Sequence, residues 1–290
     1  MITFFTIPKP FIGLAAIQQR NALESWKCLQ TPCEVILCGN DPSVSDMASS
    51  LGFNNIEDIE VNEYGTPFLS SVFERVYEIA RNEILCFINS DIILFDQFID
   101  TIKRIKFNRY LAVGQRTDLD LSTPIDFASK QWQSDLLLLV KSNGILHKAY
   151  GMDYFAFTKN SKLQEIPPFL VGRPSWDNWF IYNALKRHVP VVDLTQACLV
   201  VHQNHDYSHI PLWEGKKWGG PEASYNIELY RELVGDLNVL SIKDSTHILQ
   251  SEFVKLSFGR NTVRHFFQTR ALLHPALRHL IPGWNKNWRL

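Results

Sequence analysis

The chain has 290 residues, of which 46% are hydrophobic and 20% are charged, and its formal net charge is −1. This balance suits one large α/β domain with an ample core, and the absence of low-complexity tracts excludes a disordered or repeat protein. No apolar run approaches the roughly 20 residues of a transmembrane helix, and the N-terminus lacks the pattern of a signal peptide. We therefore expect a cytoplasmic protein, and we expect no nucleic-acid partner.

The alternation of strand and helix patterns through the first 115 residues predicts a mostly parallel, doubly wound sheet flanked by helices. The predicted strands cover 2–7, 34–38, 56–61, 84–88 and 110–113, and the predicted helices cover 12–29, 43–52, 68–80 and 95–105. Residues 116–150 read as an irregular loop, and each Asp within them reads as a solvated turn residue. The dinucleotide motif GxGxxG and the phosphate-binding loop GxxxxGK[ST] are absent, so dinucleotide oxidoreductases and P-loop ATPases are disfavoured.

The most informative stretch is the predicted strand 84–88, which runs into Asn89, Ser90 and Asp91. A carboxylate just past the end of a buried parallel strand lies where open α/β sheets bind ligands. Asp91 is therefore a candidate ligand-binding residue. The alternative is a turn Asp that caps the following helix.

A second stretch precedes the helix predicted over 68–80. Gly65 permits close backbone approach, Thr66 suits a helix cap, and Pro67 suits the first helical position. A helix N-terminus after a Gly can hold a phosphate. An ordinary strand-to-helix turn explains the same residues.

A third stretch places Asp177 between Trp176 and Trp179 at the start of a predicted helix. Aromatic rings offer platforms for sugar faces, and they desolvate a neighbouring carboxylate, which raises its pKa toward the range of a general base. Alternatively, Asp177 is a favourable acid in the first turn of the helix.

Three histidines follow a late predicted strand, within residues 202–209. Histidine is the commonest metal ligand, so His202 is a candidate ligand, with His205 and His209 as weaker ones. Surface histidines on a polar loop are the alternative. The Gly- and Trp-rich segment 213–221 that follows reads as a lid whose Lys216 or Lys217 contacts a diphosphate.

The basic residues concentrate at the C-terminal end. Residues 255–290 hold seven Lys and Arg and no Asp or Glu, whereas the rest holds 22 basic and 30 acidic residues. A basic helix with an apolar face suits an anionic membrane surface, here the inner membrane face, or a partner protein. A terminal helix packed on the domain is the alternative. The five cysteines form no CxxC pair, which argues against a zinc site or a disulfide framework.

The order of these stretches resembles the nucleotide-diphospho-sugar glycosyltransferases of the A-type (GT-A) fold, close to the large family-2-like group. In that group an opening strand, an Asn–Gly pair before a helix and an apolar strand ending in an acidic DxD motif follow one another. The corresponding parts of this sequence are residues 2–7, Asn62 with Gly65, and residues 86–91. The resemblance covers about residues 1–205. Asn89 departs from the motif, because it stands at the first acidic position.

The resemblance implies a Rossmann-like domain over 1–220, with a nucleotide-binding half (1–115), an acceptor half (116–220) and a helical, basic extension over 221–290. It implies Mn²⁺ or Mg²⁺ held by Asp91 and His202, and a nucleotide-diphosphate sugar donor, most simply a UDP-sugar. The donor-side residues would be Asn62, Gly65, Asn89, Asp91, Asp153 and Trp176.

The implied reaction is transfer of the sugar to a glycan or lipid-linked acceptor in polysaccharide synthesis. Asp177 would be the base of an inverting mechanism. Two alternatives stay open. A sugar-1-phosphate nucleotidyltransferase usually needs a Gly-rich basic loop after the first strand, which residues 7–13 match poorly. A non-catalytic sugar- or protein-binding module is favoured by the lost carboxylate at Asn89.

Overall fold

The computed structural model describes residues 1–205, 219–235, 239–250 and 253–257. Within them lie thirteen strands: β1 Ile2–Thr6, β2 Glu34–Cys38, β3 Asn54–Ile56, β4 Ile84–Ile88, β5 Ile92–Ile93, β6 Leu111–Val113, β7 Thr117–Leu119, β8 Ile145–Leu146, β9 Tyr154–Thr158, β10 Val191–Asp193, β11 Val201–Gln203, β12 His247–Gln250 and β13 Phe253–Leu256. The described helices are α1 Gly13–Lys27, α2 Pro42–Leu51, α3 Leu69–Ile79, α4 Gln97–Lys103, α5 Trp132–Asn143, α6 Trp176–Lys186 and α7 Pro221–Val234.

The main sheet has nine strands in the order β13-β12-β10-β6-β9-β4-β1-β2-β3. Most neighbouring pairs are parallel, and β9 is inserted antiparallel between β4 and β6. The mostly parallel sheet flanked by helices, predicted from the sequence, is confirmed. A smaller sheet with the order β5-β11-β7-β8 stands beside it.

Two hydrophobic layers cover the two faces of the main sheet, because successive side chains of a strand point to opposite faces. Phe5 packs with α3, α6 and α7 on one face. Phe4 packs with α1, α2 and α4 on the other. A third, smaller cluster lies between α5 and the small sheet.

The third strand begins earlier than the predicted range 56–61. It pairs with β2 only as far as Ile56. Beyond that point the Asn40 side chain bonds both backbone groups of Ile59, which replaces a strand partner there.

The prediction that residues 116–150 are irregular is wrong, because this segment contains β7, α5 and β8. Helix α5 contains four consecutive leucines, so its sequence lacks the spacing of apolar residues every three to four positions that identifies a helix. Leu136 packs with Leu119 and Val201 of the small sheet, and this tertiary contact stabilises the helix.

Within the predicted extension 221–290, α7 is a helix, and β12 and β13 join the edge of the main sheet. Residues 258–290 lie outside the described part of the chain. Among the described residues, none of the helices has the length and apolar character that crossing a membrane requires.

Candidate active site at the carboxyl edge of the sheet

The strand directions bring four functional segments to one edge of the main sheet. Strands β4, β6 and β10 run the same way relative to β9, so the residues after β4 and β6 meet the residue before β9. These are Asn89–Asp91, Arg116–Asp118 and Asp153. Strand β11 completes the edge, because it pairs with β5 on one side and β7 on the other, which sets His202 opposite Ile92 and Asp118.

Asp91, His202 and His205 form a cluster whose three ligand atoms lie within 4.8 Å of one another. The Nε2 atom of His205 is 3.1 Å from Asp91 Oδ2, and Nε2 of His202 is 3.6 Å from the same oxygen. The other oxygen, Oδ1 of Asp91, is buried and has no hydrogen-bond partner among the described residues. A buried acceptor without a partner is expensive unless a cation or donor binds it, so the cluster fits a divalent ion.

A row of charged groups stands behind His202. Its Nδ1 atom is 3.2 Å from Asp118 Oδ1. Asp118 also accepts a hydrogen bond from Nε of Arg116 at 2.9 Å and contacts Nδ1 of His147 at 2.5 Å. The expectation that Asp118 is a solvated turn residue is therefore wrong.

The electrostatics follow from these contacts. Burial alone would raise the pKa of Asp91, but the bond from His205 and the positive charges of His202 and Lys9 hold it well below its usual range. Burial alone would also raise the pKa of Asp118. Contacts with His202, His147 and Arg116 instead hold this pKa well below its usual range. Burial would lower the pKa of His202, yet Asp118 and Asp91 raise it above the ordinary value. Both carboxylates are thus ionised, and Asp91, the one within the cluster, is able to hold a cation.

Asn89 does not face the cluster as a metal ligand would. Its Nδ2 donates to Asp153 Oδ1 at 2.7 Å, and its backbone N–H donates to the Asp153 carbonyl. Asp153 is only 4% exposed, and both of its carboxylate oxygens lie 2.6 Å from Nη1 of Arg116. Asn89 and Asp153, expected as donor contacts, are therefore bonded to each other, and Asp153 is also bonded to Arg116.

Asp177 is partly buried in the first turn of α6, and the backbone N–H of Asn178 donates to its Oδ1 at 2.9 Å. Burial, assisted by the negative charge of Asp153, raises the pKa of Asp177 to about 7. Ser175, two residues earlier, has a left-handed φ of 83°. Backbone strain of this kind concentrates at functional sites.

The indole of Trp176 belongs to the core. Trp176 is 6% exposed, and its ring lies 5.2 Å from the rings of Phe87 and Phe155. Trp179 is equally buried and packs on Phe169. The sequence predicted that the rings form platforms for sugar faces and desolvate Asp177; in the structure both rings are buried in the core and offer no platform to a ligand.

Asn62 and Gly65 form a tight turn. Asn62 Oδ1 accepts from the backbone N–H groups of Tyr64 and Thr66, and Gly65 has a left-handed φ of 80°. The prediction that Thr66 caps α3 is wrong, because the helix begins at Leu69. Phe68 instead forms a β-bridge with Leu170, which keeps the chain extended until that point.

No family model and no curated protein matches the sequence of this chain. Among solved structures, GalNAc-T7 with UDP, GalNAc and Mn²⁺ aligns with a TM-score of 0.50 at 11% identity, over 80% of this chain and 48% of that one. The chain has the A-type glycosyltransferase fold. It spans about half the length of GalNAc-T7.

Two further structures are similar at lower TM-scores. Glucosyl-3-phosphoglycerate synthase from Mycobacterium tuberculosis, in complex with Mg²⁺ and UDP, has a TM-score of 0.46 at 13% identity, over 82% of this chain and 80% of that one. The mannosyltransferase PcManGT from Pyrobaculum calidifontis, in complex with GDP-Man and Mn²⁺, has a TM-score of 0.43 at 13% identity, over 71% and 58%.

On this A-type fold, sequence reasoning missed Arg116, Asp118 and His147. A usable signal was present for the first two: they are two positions apart and begin three residues after the strand predicted at 110–113, and alternate residues of an extended chain share a face. His147 gave no such signal. The predictions for His209, Lys216 and Lys217 concern residues outside the described part of the chain.

Proposed function

We propose that the protein is a glycosyltransferase that moves a sugar from a nucleotide-diphosphate donor to an acceptor hydroxyl with the help of a divalent cation. The observation that carries the proposal is the cluster of Asp91, His202 and His205, with its unpartnered Asp91 oxygen, at the carboxyl edge of an A-type fold. UDP is the nucleotide we test first, since similar structures hold UDP with Mn²⁺ or Mg²⁺.

Asp91, His202 and His205 would hold the cation. Carboxylate oxygens suit Mn²⁺ and Mg²⁺, and imidazole nitrogens favour transition metals, so the donor set favours Mn²⁺. When bound, the ion neutralises charge that develops on the diphosphate leaving group. Lys9 contributes positive charge toward Asp91 from the segment after β1.

Asp177 is the proposed general base. Its pKa of about 7 leaves it substantially ionised at neutral pH while keeping it basic enough to accept the proton of an acceptor hydroxyl. A single carboxylate base implies direct attack on the sugar and inversion at the anomeric carbon. Trp176 and Trp179 maintain this pKa by excluding water behind the carboxylate.

The remaining proposals concern binding. The turn at Asn62 and Gly65 would line the nucleotide side, and the Asn89–Asp153–Arg116 contacts would form the floor beneath the donor sugar. The acceptor would be a glycan or lipid-linked sugar, with the basic residues of 258–290 drawing the protein to an anionic membrane surface at the inner face. A role in polysaccharide synthesis follows from such an acceptor.

The test is calorimetric titration of the full chain with UDP in the presence and absence of Mn²⁺, followed by a donor-hydrolysis screen over nucleotide sugars. We expect Mn²⁺-dependent UDP binding that Asp91→Ala abolishes. Asp100→Ala is the matched control, because Asp100 lies on α4 with its side chain 69% exposed. If the parent protein binds neither UDP nor Mn²⁺ and hydrolyses no donor, the proposed enzymatic function is ruled out and a binding module is favoured.

A further inference from the structure

We propose that Asp118 is a positioning residue that fixes the tautomer and orientation of His202, so that His202 offers its Nε2 atom toward Asp91 and the cation. The inference rests on the proposed function only in assuming that a cation occupies the cluster. It concerns a residue that does not belong to the cluster itself.

The His202 imidazole lies between two carboxylates. Its Nε2 atom faces Asp91 Oδ2 at 3.6 Å, and its Nδ1 atom faces Asp118 Oδ1 at 3.2 Å. This arrangement follows from the strand register, because β11 sets His202 directly opposite Asp118 of β7. The Nδ1 atom is buried and makes no hydrogen bond among the described residues, although Asp118 Oδ1 is only 3.2 Å away. Asp118 is therefore the acceptor within reach of a small ring rotation.

A neutral imidazole carries one N–H, so the two carboxylates compete for it. With the hydrogen on Nδ1, His202 donates to Asp118, and the lone pair of Nε2 is free to bind a cation. With the hydrogen on Nε2, a lone pair would face the Asp118 carboxylate, and the cluster would lose a ligand. A carboxylate behind a metal-binding histidine selects the first tautomer and makes the ring a stronger ligand.

Asp118 is itself held in place, which lets it orient the ring. Arg116 donates its Nε–H to Asp118 Oδ1, and His147 contacts Oδ2. The same guanidinium binds Asp153 through Nη1, and Asn89 donates to Asp153. Arg116 is only 8% exposed, so its contacts to both carboxylates are shielded from water. If either carboxylate turned away, the buried guanidinium of Arg116 would lose one of its two charged partners, which is unfavourable.

The tautomer can be read without any cation. In the full chain labelled with ¹⁵N-histidine, at pH 9, the ring nitrogen shifts of His202 are assigned by comparison with His202→Gln. We expect the Nδ1–H tautomer in the parent and a mixture in Asp118→Asn, since an amide can donate as well as accept. An Nε2–H tautomer in the parent would overturn the proposal, whether or not the Asp118 variant folds.

Affinity for the cation provides the second measurement. Mn²⁺ binding is followed through the electron paramagnetic resonance of free Mn²⁺, with UDP present. We expect Asp118→Asn to raise the Kd for Mn²⁺ about 10- to 100-fold, as changes behind metal ligands typically do. Asp100→Asn removes one exposed carboxylate and should leave the Kd unchanged. An unchanged Kd in Asp118→Asn would contradict the inference.

The two measurements separate the two proposals. If the parent binds no Mn²⁺, the proposed function fails at its cation, while the tautomer of His202 still decides the role of Asp118. If the parent binds Mn²⁺ and the tautomer is Nε2–H, the cation site stands and the role of Asp118 fails.

Discussion

At the scale of single residues, Asn89 shows how a departure from an acidic motif is accommodated. Its side-chain amide donates a hydrogen bond to the Asp153 carboxylate at 2.7 Å. An acidic residue at position 89 would instead bring a second carboxylate against that of Asp153. The single positive charge of Arg116 already forms ion pairs with two carboxylates, those of Asp118 and Asp153. The asparagine is thus a structural donor, and under the proposed function His202 and His205 would supply the ligands that the motif lacks.

We predict that Asn89→Asp, which restores the acidic motif, destabilises the protein by about 1 to 3 kcal/mol and does not tighten Mn²⁺ binding. A hydrogen bond to a charged group is lost, and two carboxylates are brought into contact. Urea unfolding and Mn²⁺ titration measure the two effects. Asn89→Ala is the control, because it loses the bond without adding charge and should be less destabilised. A tenfold gain in Mn²⁺ affinity for Asn89→Asp would show that residue 89 does reach the cluster.

Asp177 provides a prediction about pH and turnover. Because burial raises its pKa to about 7, the rate of transfer should rise with pH and level off above that value. Asp177→Asn should lower turnover about 10²- to 10⁴-fold and leave donor binding nearly unchanged. A pH–rate profile and single-turnover transfer under saturating donor check this. If Asp153→Asn abolishes turnover while Asp177→Asn spares it, the base is misassigned.

The raised pKa of Asp177 also predicts how stability depends on pH. Turnover should rise with pH, whereas the free energy of unfolding should fall. A carboxyl group whose folded pKa lies above its unfolded value binds more protons in the folded state, so stability falls as pH rises from about 4 to 7. Asp177→Asn should therefore stabilise the protein at pH 8 by about 2 kcal/mol, after the burial of an unmatched amide is allowed for. Near pH 4 the gain should be lost and the variant should be less stable than the parent, because only the cost of the buried amide remains. Urea unfolding at both pH values tests it, and an equal effect at both would contradict the shifted pKa.

At the scale of elements, α7 holds the segment that leads into α6. The buried Asn226 side chain accepts from the Leu170 backbone N–H at 2.9 Å and donates to the carbonyls of Leu170 and Pro174 at 3.0 and 3.1 Å. The Asn226 side chain thereby satisfies backbone groups that a neighbouring strand would otherwise bind. On the same helix, Glu222 binds Asn62 and Arg173. Helix α7 thus ties the turn at Asn62 to the segment before Asp177.

We predict that Asn226→Ala destabilises the protein by about 3 kcal/mol, because it strips backbone groups of their partner. It should also lower turnover, since Pro174 lies three residues before Asp177. Tyr225→Phe is the matched control on the same helix. It removes only an exposed bond to Pro168 and should change stability by less than about 0.5 kcal/mol. Urea unfolding measures both variants, and equal stability of the two would refute the role of Asn226.

At the scale of the whole molecule, charge is separated along the chain. The basic residues of 258–290 follow a body rich in Asp and Glu. We predict that deleting 258–290 abolishes sedimentation of the protein with anionic phosphatidylglycerol vesicles and leaves transfer to a soluble acceptor largely unchanged. Neutral phosphatidylcholine vesicles are the control, because a basic segment gains little from them. Loss of folding on deletion would show instead that the segment is a packed part of the domain.

The sequence by itself determined the parts of this protein that depend on local pattern. Alternating strands and helices predicted the mostly parallel sheet, and the apolar run before Asp91 placed that carboxylate at the carboxyl edge. The aromatic surroundings of Asp177 predicted a raised pKa. These predictions succeeded because strand ends, helix starts and local burial are encoded within a few neighbouring residues.

Only the tertiary structure decided which of these groups meet. His205 contacts Asp91 from 114 positions away, and the pairing of β11 with β5 and β7 that brings them together has no local signature. The same holds for Asn89, whose partner Asp153 immediately precedes β9, and for Trp176, which faces the core instead of the solvent. Strand partners and side-chain environments are set by long-range hydrogen bonding and packing, because a short strand alone has several equally good partners.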